Sequence, residues 1–160
     1  MTSFSATVQT VVDLPPEQAF LGVVPIDLRK VFPGYGPLPA ILGVKDQVGG
    51  WDAAGQTRSP QLSDGSFAHE QIVDYRKPEY FSYTVGGFSG AFRFITSSAF
   101  GEWWFEPAAP GKTHIRWRYT YHSRHALAVP LLWLIVHLFW RGYMEKSLRL
   151  TRRLIEAGAA

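Results

Sequence analysis

Polar and apolar residues alternate along "SFSATVQTVVDL", residues 3–14, for the length of one strand, and Pro15 and Pro16 of "PPEQAF" follow where a helix can begin. A second helical piece, "PIDLRKVF", stops at "PGYGPLP", whose glycines and prolines cannot continue it. From Ile41 to Arg124 the pattern becomes a run of strands: "ILGVKDQVGGW", "GQTRSPQL", "GSFAHEQIVDYR", "EYFSYTVGGF", "AFGEWWFEP" and "KTHIRWRYTYHSR". They are punctuated by "DG", "KP", "GG" and "PG". From about Val129 to Glu156 good helix formers predict one long terminal helix, with Gly158 as its stop. Strand, two short helices, six strands and a long helix define the α+β class with an antiparallel sheet. Seven twisted strands curling around one helix leave a hollow unless large side chains fill it, and function is to be sought there.

Aromatic residues concentrate where that hollow would lie. In "GEWWFEP" Trp103 and Phe105 share one strand face, while Glu102, Trp104 and Glu106 share the other. In the next strand Ile115, Trp117, Tyr119 and Tyr121 take the odd, inner face, and His114, Arg116, Arg118, Thr120 and His122 the even one. Rings on the inner face fill the core or line a ligand wall, and both are met if they fill a narrow end and line a wide one. Trp103, Phe105, Trp117, Tyr119 and Tyr121, together with Tyr83 of "EYFSYTVGGF", are the candidate wall. Trp104 is expected outside, packed against another strand's side chains or a partner.

The terminal helix is the other wall. Met144, Leu148, Thr151 and Ile155 lie at helical spacing, and extending that stripe backward brings in Trp140 or Arg141, then His137, then Trp133 or Leu134. Trp133, His137 and Met144 therefore join the candidate ligand residues. The fifteen residues from Ala126 to Trp140 are apolar on every side, including Leu132, Ile135, Val136 and Phe139, yet fall short of the roughly 20 needed to span a bilayer. Three covers stand open: the loop "GYGPLPAIL", a homodimer contact, or a peripheral membrane contact. The basic ladder Arg141, Lys146, Arg149, Arg152 and Arg153 suits the helix dipole and solvation, and would also suit an anionic membrane surface.

A length of 160 residues suits one domain over 1–160. The absence of cysteine excludes disulfides, thiolate metal sites and a cysteine nucleophile. The beginning "MTSFSATVQTVVDLPP" lacks the marks of a secretory signal, so a cytoplasmic location is expected. Net charge is +3, and outside the last helix Lys and Arg are scattered, which argues against nucleic acid as a partner. "GGFSGA" approaches a nucleophile elbow at Ser89, but Ala91 stands where glycine is required and no helix is expected to follow. His122 and His125 of "HSRH" have no acidic neighbour to complete a metal site. No metal and no cofactor is expected.

The order of elements, with "IVDYRKPEYFSYTVGG", "GEWWFEP", "GKTHIRWRYTY" and the long final helix, resembles the START-like, birch-pollen-allergen-like (SRPBCC) superfamily, in particular its bacterial polyketide cyclase/dehydrase-type members. The resemblance implies a helix-grip fold with a deep apolar cavity for lipids, polyketides or other hydrophobic small molecules. It does not imply one reaction. It also bears on the strand "FAHEQIVDY". Hydrophobicity favours Phe67, His69, Gln71, Val73 and Tyr75 inward, whereas superfamily members often point a glutamate near the position of Glu70 into the cavity. An inward Glu70 would have to be hydrogen-bonded, protonated or wet, and would be the first polar anchor for a ligand. The expected function is non-catalytic binding of a hydrophobic small molecule. A cyclase or dehydratase using Glu70, Tyr119, Tyr121 and His137 is the rival, with no catalytic residue assignable, and an assembly module is the third reading.

Overall fold

The computed structural model describes residues 2–158. Seven strands, β1 (Ser3–Val12), β2 (Ile41–Val48), β3 (Thr57–Leu62), β4 (His69–Arg76), β5 (Tyr80–Gly86), β6 (Thr96–Pro107) and β7 (Thr113–Ser123), form one antiparallel sheet in the order β1-β7-β6-β5-β4-β3-β2. The two short helices, α1 (Pro16–Val23) and α2 (Leu28–Val31), lie between β1 and β2 as expected. Pro16 opens α1, where its missing N–H costs nothing, and the Asp27 carboxylate caps α2 by accepting from the Arg29 amide at 3.0 Å. The terminal helix α3 (Ala126–Glu156) lies in the grip of the sheet. This is the helix-grip architecture.

Alternation sets the inner face of the sheet. Along β7, Ile115, Trp117, Tyr119 and Tyr121 are buried while Arg118 is exposed, and β6 matches it with Trp103 and Phe105 inward. Trp104 lies on the outer face, where the guanidinium carbons of Arg116 and Arg118 stand 4.4 and 5.4 Å from its ring centroid. Its role there is cross-strand packing.

The buried stripe of α3 departs from its expected course. Tyr143, Met144, Ser147, Leu148, Thr151 and Ile155 are buried in the second half, but the first half buries Ala128, Leu132 and Val136. A π-helical stretch at Ile135–Trp140 is the cause. It adds one residue to the helix, which rotates everything before it by about 100° relative to an uninterrupted α-helix. His137 and Trp133 are consequently exposed, stacked on each other with ring centroids 4.8 Å apart. The loop 33–40 covers a different part of the helix. Tyr143 Oη accepts from the Gly34 amide at 2.8 Å and donates to the Pro39 carbonyl at 2.9 Å, while Lys146 Nζ donates to the Gly34 carbonyl at 3.1 Å. Gly142 permits this contact, because a Cβ there would run into the Tyr35 ring. Of the apolar residues expected to need cover, Leu132 and Val136 pack inside and Phe139 is partly buried against Gly36 of the loop.

Candidate functional site

Between sheet, loop 33–40 and α3 lies a cavity of about 310 Å³. That is the low end of the usual range for small-molecule sites, roughly 300–1,000 Å³. Its outer part is apolar, with Leu38, Pro60, Phe88, Phe92 and Ile135 among its walls. Its sheet side carries Arg58, Glu70, Tyr83, Tyr119 and Tyr121. Asp64, Ser66 and Ser89 are among the other polar residues lining it, so most donors and acceptors are concentrated on the sheet side of a mainly apolar wall.

Arg58 and Glu70 hold the charged part of the site together. They are direct partners across β3 and β4, and Arg58 Nε donates to Glu70 Oε2 at 2.8 Å with both side chains nearly excluded from solvent. The guanidinium lies 3.9 Å from the ring centroid of Trp51, itself buried. An unpaired carboxylate at this depth would cost several kcal/mol, so a cation opposite it in register makes the inward orientation tenable. The hydrophobic parity expected for this strand is corrected accordingly: Ala68, Glu70 and Ile72 are buried, and Phe67, His69 and Val73 are exposed. Tyr75 nonetheless turns inward, its ring 5.2 Å from Phe20, because a register shift between Ile72 and Asp74 switches the parity of the strand. A bulge of this kind cannot be placed by alternation alone.

The three tyrosines on the sheet side of the cavity are neutral donors. Burial pushes the Tyr83, Tyr119 and Tyr121 hydroxyls well above the ordinary tyrosine value, with the Glu70 charge adding to the effect. Tyr83 lies flat on β6 at Gly101, where a Cβ would strike its ring. Gly101→Ala is therefore expected to cost about 1–3 kcal/mol in thermal denaturation. In a Tyr83→Leu background the same change should cost markedly less, and equal cost in both backgrounds would mean that the close approach does not set the position of Tyr83.

The remaining candidates separate by depth. Trp103, Phe105 and Trp117 close the narrow end, where Trp103 stacks on Trp117 at 4.6 Å and 13° and Phe105 meets Phe20 at 5.1 Å. Met144 is fully buried in the same core. None of these four lines the cavity. Trp133 and His137 lie outside it for the helical reason given above, His137 Nδ1 standing 2.9 Å from the Trp133 carbonyl. Arg58, Trp51 and Tyr143 escaped the sequence reading, and Trp140 entered it only as an alternative to Arg141 on the helix stripe. Trp140 and Tyr143 lie on a helix whose phase was misplaced, and Arg58 sits in "GQTRSPQL", a strand without clear alternation. Trp140 lines the cavity with its ring 4.9 Å from Tyr119, and its Nε1 has no acceptor among the described residues. Neither do the described residues include a group of three or more His, Asp or Glu arranged to hold a metal.

A curved sheet closed by a long helix over a cavity with a buried ion pair defines a ligand-cavity protein of the helix-grip class. The chain belongs to the family described as polyketide cyclase / dehydrase and lipid transport, whose model matches residues 1–156. Among solved structures it is similar to a point mutant of norcoclaurine synthase from Thalictrum flavum in complex with a transition-state analogue. The TM-score is 0.74 at 10% identity, with 99% of this chain and 98% of that one covered. It is also similar to Ara h 8.0201, with a TM-score of 0.66 at 16% identity and 98% and 99% of the two chains covered. XoxI from Bacillus cereus gives 0.62 at 14% identity, with 94% of each chain covered. At such identities the likeness is one of fold. Comparison with curated proteins finds no match.

Proposed function

We propose that the protein, acting over residues 1–160 as one unit in the cytoplasm, binds a hydrophobic small molecule with one polar end, lipid-like or polyketide-like, and carries or senses it without transforming it. The observation that carries this reading is the placement of a buried Arg58–Glu70 pair and three protonated tyrosines on the sheet side of a mainly apolar cavity of about 310 Å³, with Asp64, Ser66 and Ser89 among its other polar lining. The volume favours a single-chain or fused-ring molecule over a two-chain lipid. Arg58 spends its Nε–H on Glu70, and a guanidinium has four further N–H donors for a ligand oxygen. The apolar body then lies against Phe88, Phe92 and Trp140. A cysteine-free chain suits a reducing compartment.

The rival reading is a cyclase or dehydratase with Glu70 as acid/base. It draws support from the convergence of Glu70 with three hydroxyls and from the fold's likeness to norcoclaurine synthase, which has been seen with dopamine and hydroxybenzaldehyde. Binding is favoured because the Glu70 carboxylate is engaged by Arg58 and burial keeps the Tyr83, Tyr119 and Tyr121 hydroxyls protonated, so the groups that converge on the sheet side are already paired or hold their protons. Native mass spectrometry of the purified protein, followed by titration of the retained compound against wild type and Glu70→Gln, tests both readings. A binder should return the compound unchanged and lose about 1.5–3 kcal/mol of affinity in Glu70→Gln. A product of altered mass, with turnover falling roughly 100-fold in the variant, would establish the enzyme instead. If nothing is retained and a panel of fatty acids and polycyclic aromatics fails to bind, both readings fall.

A further inference from the structure

The first half of α3 presents an apolar face that none of the described residues covers. Leu127, Leu131, Leu134 and Leu138 form a row turned away from the buried Ala128, Leu132 and Val136, and Trp133 stands beside it. Leu127 is 90% exposed, Leu138 56% and Trp133 48%. The turn Ala91–Phe94 belongs to the same end of the molecule, since the Arg124 amide just before the helix donates to the Ile95 carbonyl at 3.0 Å. Phe94 on that turn is exposed, with the Arg93 guanidinium 4.7 Å from its ring centroid.

The two segments that build this face carry charge of one sign, while Asp64 of the nearby β3–β4 turn is held by the Ser66 amide and hydroxyl. The sequence contains no Asp or Glu from 80 to 101 or from 107 to 144, whereas Arg93, Arg124 and His125 are exposed there. Neither Arg93 nor Arg124 takes part in an ion pair among the described residues. We propose that this face docks on the surface of an anionic lipid bilayer, with the leucine row, Trp133 and Phe94 in the headgroup boundary and Arg93 and Arg124 on acidic headgroups.

Three features select that occupant. A second copy docked two-fold would bring together two faces whose own segments supply Arg93, Arg124 and His125 and no carboxylate. A spanning helix is the other reading of an apolar 31-residue helix, but the inner row packs under the sheet and the second half carries Lys146, Arg149, Arg152 and Arg153. An apolar face bordered by cations, with a tryptophan beside it, is the pattern of an interfacial helix. Ile135 lies next to exposed Leu134 in the helix and lines the cavity, so docking would bring a cavity wall beside the lipid. The proposal stands whether or not the cavity holds a ligand.

Sedimentation with vesicles of phosphatidylcholine alone, or with about 30% phosphatidylserine, tests it. Wild type should bind the anionic vesicles, shift Trp emission to the blue, and release as salt rises. Leu131→Glu with Leu138→Glu should abolish binding without lowering the melting temperature, because both side chains are exposed. Arg93→Ala and Arg124→Ala should each weaken binding about fivefold. Failure of wild type to bind, or equal binding by the double glutamate variant, would overturn the proposal. So would a wild-type dimer in solution that the double variant converts to monomer without any vesicle binding, since the face would then be a self-contact.

Discussion

Arg58→Ala is expected to lower the melting temperature by roughly 6–20 °C, one of the largest effects of any single change in this protein. The substitution leaves the Glu70 carboxylate buried near Tyr83 with no cation, and removing one partner of a buried pair costs about 3–5 kcal/mol. Removing both charges is a different matter. Arg58→Met with Glu70→Leu replaces the pair with apolar groups of similar size, and most of the lost stability should return. Thermal denaturation of the two single variants and the double variant forms a complete cycle. Should Arg58→Ala melt within a degree or two of wild type, the pair is hydrated in solution. Should the double variant be as unstable as the singles, the loss belongs to packing of the Arg58 stem on Trp51 and not to charge.

Recovery of the fold in the double variant would also say why the charges are there. A sheet that is no less stable without them does not need them for folding, so their use would lie with what enters the cavity. The same variant should then still accept an apolar molecule but lose preference for one with a polar end, since among the described residues the guanidinium is the only cation lining the cavity. Under the proposed function the cavity of about 310 Å³ and the ion pair would then be separable contributions to binding, the first setting size and the second chemistry.

The succession of strands along the chain, the two short helices and the aromatic inner face of β6 and β7 were legible because each rests on a local period that the fold keeps. Trp103 and Phe105 share a face for the same reason that Ile115, Trp117, Tyr119 and Tyr121 do, and no irregularity interrupts either run between those positions. The misreadings share a physical cause as well. In β4 a register shift after Ile72 lets Glu70 and Tyr75 both point inward, which strict alternation forbids. In α3 the π stretch at Ile135–Trp140 moves Val136 inside and His137 out. One inserted residue in each element was enough to exchange the faces, and neither insertion carries a mark in its own sequence. Arg58 was missed because its meaning depends on a partner twelve residues away, across a turn whose register had to be known first.

Trp117→Ala should destabilise the protein by about 3–5 kcal/mol and, unlike Arg58→Ala, should be rescued by a small aromatic molecule. Trp117 is fully buried, stacked on Trp103 and met edge-on by Phe32 at 6.1 Å, so truncation removes an indole from the middle of the closed end. The surrounding rings belong to three different elements: Trp103 on β6, Phe32 beside α2 and Trp140 on α3. Collapse into the space would require the sheet and helix to approach each other, and the cavity should persist. A void of about 40 Å³ already lies against Trp117, bounded also by Arg58 and Tyr83, which line the ligand cavity too. Truncation should therefore join the two spaces into one deeper chamber. Indole added to the variant should raise its melting temperature by more than it raises that of wild type, because only the variant offers a site shaped by a lost indole. It should also lengthen the largest ligand the protein accepts. A variant that melts like wild type would remove Trp117 from the core, while an unstable variant with no differential response to indole would mean that the closed end collapses and that the ligand cavity ends at Arg58 and Tyr83 by packing that can rearrange.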